Sequence, residues 1–312
     1  MKTIKPLYSG IQSCFVITSD NHIDEKHPIP KLPMRQLCRS LRDSQNAAVP
    51  VDAYVTVGDT TSRGSEANWA LVKKCFDKYT PAKRILLCVG NHDLWNDGGF
   101  DAAQAQYIKN TAEITGEKHD KTYFSASFDG CKMIFLGTTY DAGCEARLGA
   151  EEIAWFGDEM ASADKSEPVF VFCHQSLNGR HGLPRTWDKV EKPDRAADEG
   201  GIGDESEQIE SILKSRDYVF YFSGHSHMGL CGERMKKAEG YASFENDDGL
   251  EVINLPSLAC GNHHGEDNSM GIGVVAEVYP DRVVIRPRSF LRRRMNKKIK
   301  IRDGKPYLEV KR

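Results

Sequence analysis

Residues 84–93 read RILLCVGNHD, an apolar run that ends in glycine, asparagine, histidine and aspartate. Residues 14–19 (CFVITS) and 53–57 (AYVTV) are apolar runs of similar length, and polar residues follow each of them as well. Between these runs, residues 34–47 and 65–79 place apolar side chains at the spacing of a helix. Buried strands that alternate with helices are typical of an α/β sheet, so this part of the chain predicts βαβ units.

The middle of the chain adds antiparallel pairing to this pattern. Residues 122–128 and 131–136 flank Asp129-Gly130, a dipeptide that favours a two-residue hairpin turn. Further apolar runs predict strands at residues 169–173, 218–223, 251–255, 271–279 and 282–289, and apolar spacing predicts a helix near residues 148–161. Because this is a large number of strands for one chain, we expect two packed, mixed β-sheets flanked by helices.

The chain has no low-complexity linker and no internal repeat, so we expect a single domain over residues 1–312. The least regular stretch lies near residues 175–203, between two predicted core strands, and we expect a substrate-side loop there, because long loops inside compact domains are usually functional or mobile. Residues 282–312 form a basic strand region. Its cationic and apolar residues are interspersed, which favours an outer strand with a charged face over a nucleic-acid patch.

Composition excludes several classes of protein. The 42 lysines and arginines nearly balance the 45 aspartates and glutamates, so the net charge of −3 argues against a chain-wide attraction to nucleic acid or membranes. No stretch approaches 18 apolar residues, and polar residues such as Gln12 and Ser13 make the start a poor signal peptide. The nine cysteines form no C-x-x-C pair, which favours reduced thiols in the cytoplasm.

Polar side chains follow five of the predicted strands, at the point where each strand ends. Ligands of open α/β sheets bind outside the carboxyl ends of the strands, so these side chains could meet at one rim. Histidine nitrogen combined with carboxylate oxygen suits zinc, iron and manganese. The candidate metal ligands are Asp20, His22, Asp59, Asn91, His174, His225 and His227.

Seven ligands are too many for one ion and fit two ions that share a bridge. In D-x-H (Asp20 to His22) and H-x-H (His225 to His227), residues two apart on an extended backbone point the same way, so both can face one cluster. The glycines before Asp59, Asn91 and His225 fit tight turns and a close approach of the backbone to an ion or phosphate. A lone histidine beside a strand is usually structural, but the joint pattern favours a metal site.

This set of motifs resembles the calcineurin-like metallophosphoesterases. The resemblance covers roughly residues 15–289 and is greatest for the branch with a G-N-H-[DE] motif and a terminal G-H-x-H, which includes the class III cyclic-nucleotide phosphodiesterase-like enzymes. It implies a four-layer α-β-β-α sandwich. One departure from many relatives is His174-Gln175-Ser176, where a proline is common, and this leaves the path of the next loop open.

The resemblance also implies a role for each motif residue. It implies two divalent or trivalent transition-metal ions (manganese, iron or zinc) with Asp20, His22 and His227 on one, Asn91, His174 and His225 on the other, and Asp59 between them. His92 would face the phosphate and the leaving group, and Asp93 would orient His92.

The implied activity is a phosphoester hydrolase, with a phosphodiester as the favoured substrate and in-line attack by a metal-bridging hydroxide. A phosphomonoesterase or a nucleotide pyrophosphatase would use the same metal core, so the motifs leave these alternatives open. A nuclease and a non-catalytic scaffold are less favoured. The expected partner is a small phosphoester, with nucleotides among the candidates, and the sequence leaves the oligomeric state open.

Several further residues have both a functional and a structural interpretation. They follow predicted strands or lie in long loops, where they would either contact substrate or be solvated. These residues are His263, His264, Arg180, His181, Arg185, Trp187 and Arg63.

Overall fold

The computed structural model describes residues 3–26, 32–139, 143–181, 200–230, 242–259, 270–295 and 300–312. Within these residues the chain forms two mixed β-sheets that stack face to face. The first sheet contains β1 (Ser13–Thr18), β2 (Ala53–Val57), β3 (Arg84–Cys88), β10 (Ile272–Tyr279), β11 (Arg282–Ser289), β12 (Arg294–Met295) and β13 (Leu308–Lys311). The second contains β4 (Phe124–Phe128), β5 (Cys131–Phe135), β6 (Val169–Phe172), β7 (Val219–Ser223), β8 (Phe244–Asp247) and β9 (Leu250–Asn254).

Both sheets combine parallel and antiparallel strands: the first is parallel at its β3 edge and antiparallel on the other side, and the second has a parallel centre with antiparallel edges. The first has the order β12-β11-β10-β1-β2-β3, in which β1, β2 and β3 are parallel, and β13 also pairs with β11. The second has the order β4-β5-β6-β7-β9-β8, in which β5, β6, β7 and β9 are parallel. The parallel strands of each sheet therefore end at a common edge, as the strand-end motifs require.

Helices cover the outer face of each sheet. The helices are α1 (Leu32–Gln45), α2 (Glu66–Phe76), α3 (Phe100–Thr115), α4 (Ala150–Ser162) and α5 (Ser206–Leu213). One apolar cluster joins the outer face of the first sheet to α1, α2 and α3, and another joins the second sheet to α4 and α5. The four-layer α-β-β-α sandwich that the resemblance implies is thus confirmed.

Strand alternation explains why both faces of each sheet are apolar. In β1, Phe15 and Ile17 point into the layer between the sheets, whereas Cys14 and Val16 point toward the helices. A strand buried on both faces has no polar side, so it appears in the sequence as a continuous apolar run.

The described part of the basic strand region contains both buried and exposed arginines. Arg286 is buried and donates to Glu277, and Arg288 is 1% exposed and donates from Nε to Asp43 Oδ2 at 2.7 Å. Arg294 is exposed in β12, which lies at the edge of the sheet, whereas β11 has neighbours on both sides. The burial of the two β11 arginines was not expected, because the sequence does not show that an acidic partner on α1 lies against this strand.

Candidate metal centre

The candidate ligands meet at one rim of the sandwich. Parallel strands β1, β2 and β3 of the first sheet end at Asp20, Asp59 and Asn91, and β6 and β7 of the second end at His174 and the 225–227 motif. The strand ends of the two stacked sheets bring the histidines and aspartates among them within a few ångströms of one another. Nearly all of this rim is buried, which strengthens electrostatic interactions there.

One group of possible ligands consists of Asp20, His22, Asp59 and His227, whose ligand atoms lie within 4.8 Å of one another. His227 Nε2 lies 3.0 Å from Asp20 Oδ1 and 2.9 Å from His22 Nε2. Two imidazole nitrogens and carboxylate oxygens at this spacing surround a point where a cation could bind.

A second group consists of Asp59, His174 and His225. His174 Nδ1–H donates to Val57 O at 2.8 Å, so its Nε2 is the ring nitrogen at the rim, 3.1 Å from Asp59 Oδ2. The same Asp59 Oδ2 lies 3.5 Å from His22 Nε2 of the first group. Asp59 is therefore the carboxylate that the two groups share.

Asn91 adds a further possible ligand beside these groups. Its amide nitrogen and oxygen are both buried and form no hydrogen bond with the described residues. Buried amides are nearly always hydrogen-bonded, so an unpartnered one requires an explanation such as a bound ion. Asn21 shows the same feature at the same rim. Together, the amide oxygens, imidazoles and carboxylates of the rim form a donor set that fits transition-metal ions.

Acid–base properties of the metal-free site agree with metal binding. Burial raises the pKa of the Asp20 and Asp59 carboxyls, but the nearby histidines, His227 and His174 foremost, lower both pKa values below the usual range. Burial, together with the charge of His174, holds the pKa of His225 well below its usual value. Burial also lowers the pKa of His174, yet Asp59 and Asp20 outweigh it and raise that pKa to about 9. Ionised carboxylates and neutral imidazoles are the forms that bind metals, so His174 must release a proton.

Backbone conformation at the rim differs from the sequence-based expectation. The ligand motifs are not extended, because five of the candidate ligands have left-handed backbone angles. They are Asp20 (φ 54°), His22 (φ 43°), Asp59 (φ 49°), His225 (φ 65°) and His227 (φ 50°). Such angles are uncommon for residues other than glycine and cluster at functional sites. The side chains of each motif do face one cluster, but through tight turns rather than an extended backbone.

Glycines beside the ligands allow other ligand residues to approach the backbone closely. A Cβ atom at Gly58 would lie 2.4 Å from His174 Nδ1, and one at Gly224 would lie 2.4 Å from Asp20 Oδ2. A Cβ atom at Gly90 would lie 2.2 Å from Asp59 Oδ1. Gly58 also has a left-handed backbone angle (φ 76°), as expected for a tight turn, while the approach of an ion or phosphate stays a prediction.

His92 is held between the loops that follow β2 and β3. Asn91 is helical and precedes a short 3₁₀ turn, His92–Leu94, so the backbone here is not extended either. The backbone N–H of His92 donates to Asp59 Oδ1 at 2.9 Å, and its Nδ1–H donates to Ser62 O at 2.9 Å. The ring packs on His22 at 4.7 Å and on the partly exposed Trp95 at 4.2 Å between centroids.

Asp93 does not orient His92, contrary to the implied role. Its carboxylate accepts hydrogen bonds from the backbone N–H groups of Thr60, Thr61 and Gly90 and from the Thr61 hydroxyl, at 2.8–3.2 Å. Asp93 therefore ties the loop after β2 to the loop after β3. The carbonyl of Ser62 orients His92, and a backbone acceptor of this kind leaves no signal in a sequence.

The additional residues of interest lie elsewhere or have structural partners. Arg180 pairs with Glu210 and Asp247, and buried His181 donates from Nδ1 to Ala242 O at 2.6 Å. Arg185, Trp187, His263 and His264 lie outside the described residues. Arg63 is exposed in the loop after β2.

Two stacked mixed sheets whose shared rim gathers histidine and carboxylate ligands define a metallophosphoesterase sandwich. The chain belongs to the calcineurin-like phosphoesterase family, because the family model matches residues 15–229. This confirms the family resemblance, while the class III branch stays a prediction. Family membership and the two ligand groups together indicate a metal-dependent phosphoesterase with a dinuclear centre.

Solved structures share this fold at low sequence identity. A purple acid phosphatase from yellow lupin seeds is 14% identical with a TM-score of 0.62, and the alignment covers 94% of this chain but only 54% of the lupin chain. GAP50, the anchor in the inner membrane complex of Plasmodium, is 14% identical with a TM-score of 0.56 and 96% and 88% coverage. No curated protein has a significantly similar sequence. Every described helix is too short or too polar to cross a membrane.

Proposed function

We propose that this protein is a phosphodiester hydrolase that uses two transition-metal ions at the rim. The observation that carries the proposal is the position of Asp59, whose Oδ2 lies 3.5 Å from His22 Nε2 and 3.1 Å from His174 Nε2. One carboxylate shared by two ligand groups is the arrangement that two adjacent ions need, because a bridging negative charge offsets their mutual repulsion.

The proposal gives each ligand group one ion. Asp20, His22 and His227 would hold the first, and Asn91, His174 and His225 would hold the second, with Asp59 common to both. The mixture of imidazole nitrogen and carboxylate or amide oxygen supports manganese, iron or zinc. When bound, such a pair of ions supplies Lewis-acid stabilisation of phosphoryl oxygens and a water of lowered pKa.

His92 contributes the proton chemistry of the proposal. Its Nδ1–H is fixed on Ser62 O, so its Nε2 is the atom that can donate to a departing oxygen when the ring is protonated. The contact of its ring with His22 supports a position beside the first ligand group. The proposal therefore gives His92 the role of general acid for the leaving group, and general acid catalysis of this kind is typically worth roughly 10²–10⁴-fold.

The preference for a diester rests on the motifs, and a pair of substrates tests it. We expect the manganese-loaded protein to hydrolyse bis(p-nitrophenyl) phosphate faster than p-nitrophenyl phosphate at equal concentration. Elemental analysis of the same samples should find two ions per chain. The Asp59→Asn variant, purified in parallel, controls for a contaminating hydrolase. A preference for the monoester would favour the phosphomonoesterase alternative, and a maximum of one ion would contradict the dinuclear centre.

Other functions receive less support from the molecule. A nuclease would need a basic surface, and two arginines of the basic region, Arg286 and Arg288, are buried and paired and so cannot contribute to one. A scaffold remains an alternative because a similar structure, GAP50, is described as an anchor. The assembled ligand groups favour catalysis over this alternative.

The proposed setting is the cytoplasm, with a small phosphoester, such as a nucleotide, as the partner. The seven cysteines that the structure describes are all free thiols, which supports a reducing compartment.

A further inference from the structure

The segment that leaves β9 crosses the rim beside the candidate ligands. It comprises residues 254–259, called here the exit segment. The segment begins with the last residue of β9 and leads from the second sheet in the direction of β10 in the first. It lies outside the region matched by the family model, which ends at residue 229. Asn254 and Ser257 of this segment are fully buried polar residues, so their hydrogen bonds matter for the stability of the rim.

Asn254 is bonded to the loop that contains His225 and His227. Its Nδ2 donates to Gly224 O at 2.7 Å and to Ser223 Oγ at 3.0 Å. Its Oδ1 accepts from Ser226 Oγ at 2.7 Å. One amide therefore fixes the residues on both sides of His225, and with them the direction of the turn that presents both imidazoles.

Ser257 and its neighbour are bonded to the loop that contains Asp20 and His22. The Ser257 hydroxyl donates to Asp20 O at 2.8 Å, and the backbone N–H of Leu258 donates to Ser19 O at 2.8 Å. These bonds hold a turn in which Asp20 and His22 have left-handed backbone angles. Such angles persist only where the surroundings fix them, and the exit segment supplies part of that constraint.

The two loops also touch each other directly. The backbone N–H of His225 donates to Asp20 Oδ2 at 3.2 Å, and Gly224 leaves no space for a side chain between them. The distance between the loops, and so the size of the first ligand group, depends on how firmly each loop is held from outside. The exit segment is placed to hold both of them.

We propose that Asn254 and Ser257 are positioning residues for the dinuclear centre, and that the exit segment sets the spacing of the ligand loops. This inference rests on the proposed assignment of ligands to two ions. Among the described residues, the Ser257 hydroxyl donates to the loop with Asp20 and His22, which belong to the first ion. Asn254 holds the loop that supplies His225 to one ion and His227 to the other. The two residues therefore differ in which ion they affect.

Manganese binding to the full-length protein tests this difference. Metal-free wild type, Ser257→Ala and Asn254→Asp are titrated with Mn²⁺ against a chromophoric chelator, and electron paramagnetic resonance separates spin-coupled pairs from single ions. Asn254→Asp keeps the acceptor for Ser226 and the side-chain shape but loses both N–H donors. Asn246→Ala is the matched control, since Asn246 bonds to Glu251 in the same β8–β9 hairpin away from the rim.

We expect Ser257→Ala to lower the affinity for one ion by about 10–100-fold, the usual effect of losing a partner that orients ligands, while the affinity for the other ion is unchanged. Asn254→Asp should weaken both ions, and Asn246→Ala neither. Urea unfolding of the metal-free variants separates these effects from a general loss of stability. An equal loss of affinity for both ions in Ser257→Ala, or unchanged affinities in both rim variants, would overturn this inference but not the proposed function. A wild type with fewer than two ions would overturn the proposed function and the inference with it.

Discussion

The layer between the two sheets and the rim at their strand ends follow different structural rules. In the layer, Phe170, Phe172, Phe220 and Phe222 are fully buried, and their rings stack between β6 and β7 at about 5.2 Å between centroids. At the rim, candidate ligands have left-handed backbone angles, and the buried amide of Asn91 has no hydrogen-bond partner within the described part of the chain. The buried aromatic side chains of the layer favour folding, whereas the left-handed backbone angles and the buried polar groups of the rim oppose it.

The contrast indicates where stability and chemistry reside. Each left-handed residue costs roughly 1–3 kcal/mol, and each unpartnered buried amide costs about 1–3 kcal/mol. Such costs persist when the surrounding structure fixes the backbone, and here the stacked aromatic layer fixes the strands that end at the rim. Bound cations would offset part of the cost, because they would supply partners for the buried oxygen and nitrogen atoms. Variants at the rim should therefore affect metal content first, and variants elsewhere should affect stability first.

Asp59→Asn should have the largest effect. The substitution keeps the side-chain shape but replaces a shared negative oxygen, so we expect both ions to be lost. The rate should fall by more than the roughly 10–100-fold that is typical when a residue that only orients the ligands is changed. Elemental analysis and turnover on bis(p-nitrophenyl) phosphate measure the two effects. His22→Asn is the matched control, since His22 belongs to one group only. Two retained ions and a near-normal rate would show that Asp59 is not the bridge.

His92→Ala should reduce turnover strongly while both ions stay bound. Alkoxides are poor leaving groups that need a proton, so the expected loss is about 10²–10⁴-fold for an alkyl ester and smaller for a p-nitrophenyl ester. The measurement is kcat on both esters with metal content checked in each sample. His119→Ala, a histidine stacked on Phe124 away from the ligands, is the control. Equal losses on both esters would exclude the leaving-group role, and loss of an ion would make His92 a ligand.

The fold was predictable wherever side chains alone determine burial. Strands such as β6 appear as continuous apolar runs because both of their faces are buried, and the helices α1, α2 and α4 show apolar spacing. No helix was predicted over α3, because its buried face combines one large side chain, Tyr107, with the small or polar residues Ala103, Asn110 and Thr111. Small and polar residues on a buried face produce no hydrophobic periodicity.

The identity of the candidate ligands was also predictable, but their supports were not. The five strand-end motifs contain the side chains that the rim brings together. The residues that hold them act through backbone groups or distant partners, as Ser62 does for His92 and Asn254 does for the loop of His225. Such contacts depend on loops that come together only in the folded chain, so the sequence around each residue does not reveal them.

Gly224→Ala should have a smaller effect, which combines a loss of stability with weaker metal binding. A Cβ atom there would lie 1.9 Å from Ser19 Oγ and 2.4 Å from Asp20 Oδ2, so we expect a destabilisation of about 1–3 kcal/mol and weaker metal binding. Gly157→Ala in α4 is the matched control, because no atom lies within 4 Å of its added Cβ and alanine favours a helix. It should stabilise the protein by roughly 0.4–1 kcal/mol. Urea unfolding of the metal-free proteins measures the change in the free energy of unfolding for both variants. A change in the same direction for both would contradict the close packing of the ligand loops.

Glu152→Gln should have the smallest effect, and it tests what an unpartnered buried oxygen means. Glu152 is fully buried in the first turn of α4, and its Oε1 accepts from the Gly137 N–H at 2.7 Å while Oε2 has no hydrogen-bond partner among the described residues. Among the described residues, Glu152 belongs to neither of the two ligand groups, unlike the aspartates of the rim. A proton on the carboxyl, rather than a metal ion, is the simplest partner for this oxygen.

Burial raises the pKa of the Glu152 carboxyl well above its usual value, and the bond from Gly137 only partly opposes this. Because the folded-state pKa is the higher one, the stability that the neutral acid contributes is complete below the unfolded-state pKa, near 4.5, and is lost as the pH rises toward the folded-state pKa. Glutamine cannot ionise, so Glu152→Gln should match wild type at pH 4.5 and exceed its melting temperature by about 2–4 °C at pH 8, which corresponds to roughly 1 kcal/mol. The control is Glu151→Gln, which removes only an exposed ion pair with Lys121. A melting-temperature difference that does not change with pH would show that Glu152 is not protonated, and a lower metal content would show that its oxygen belongs with those of the rim.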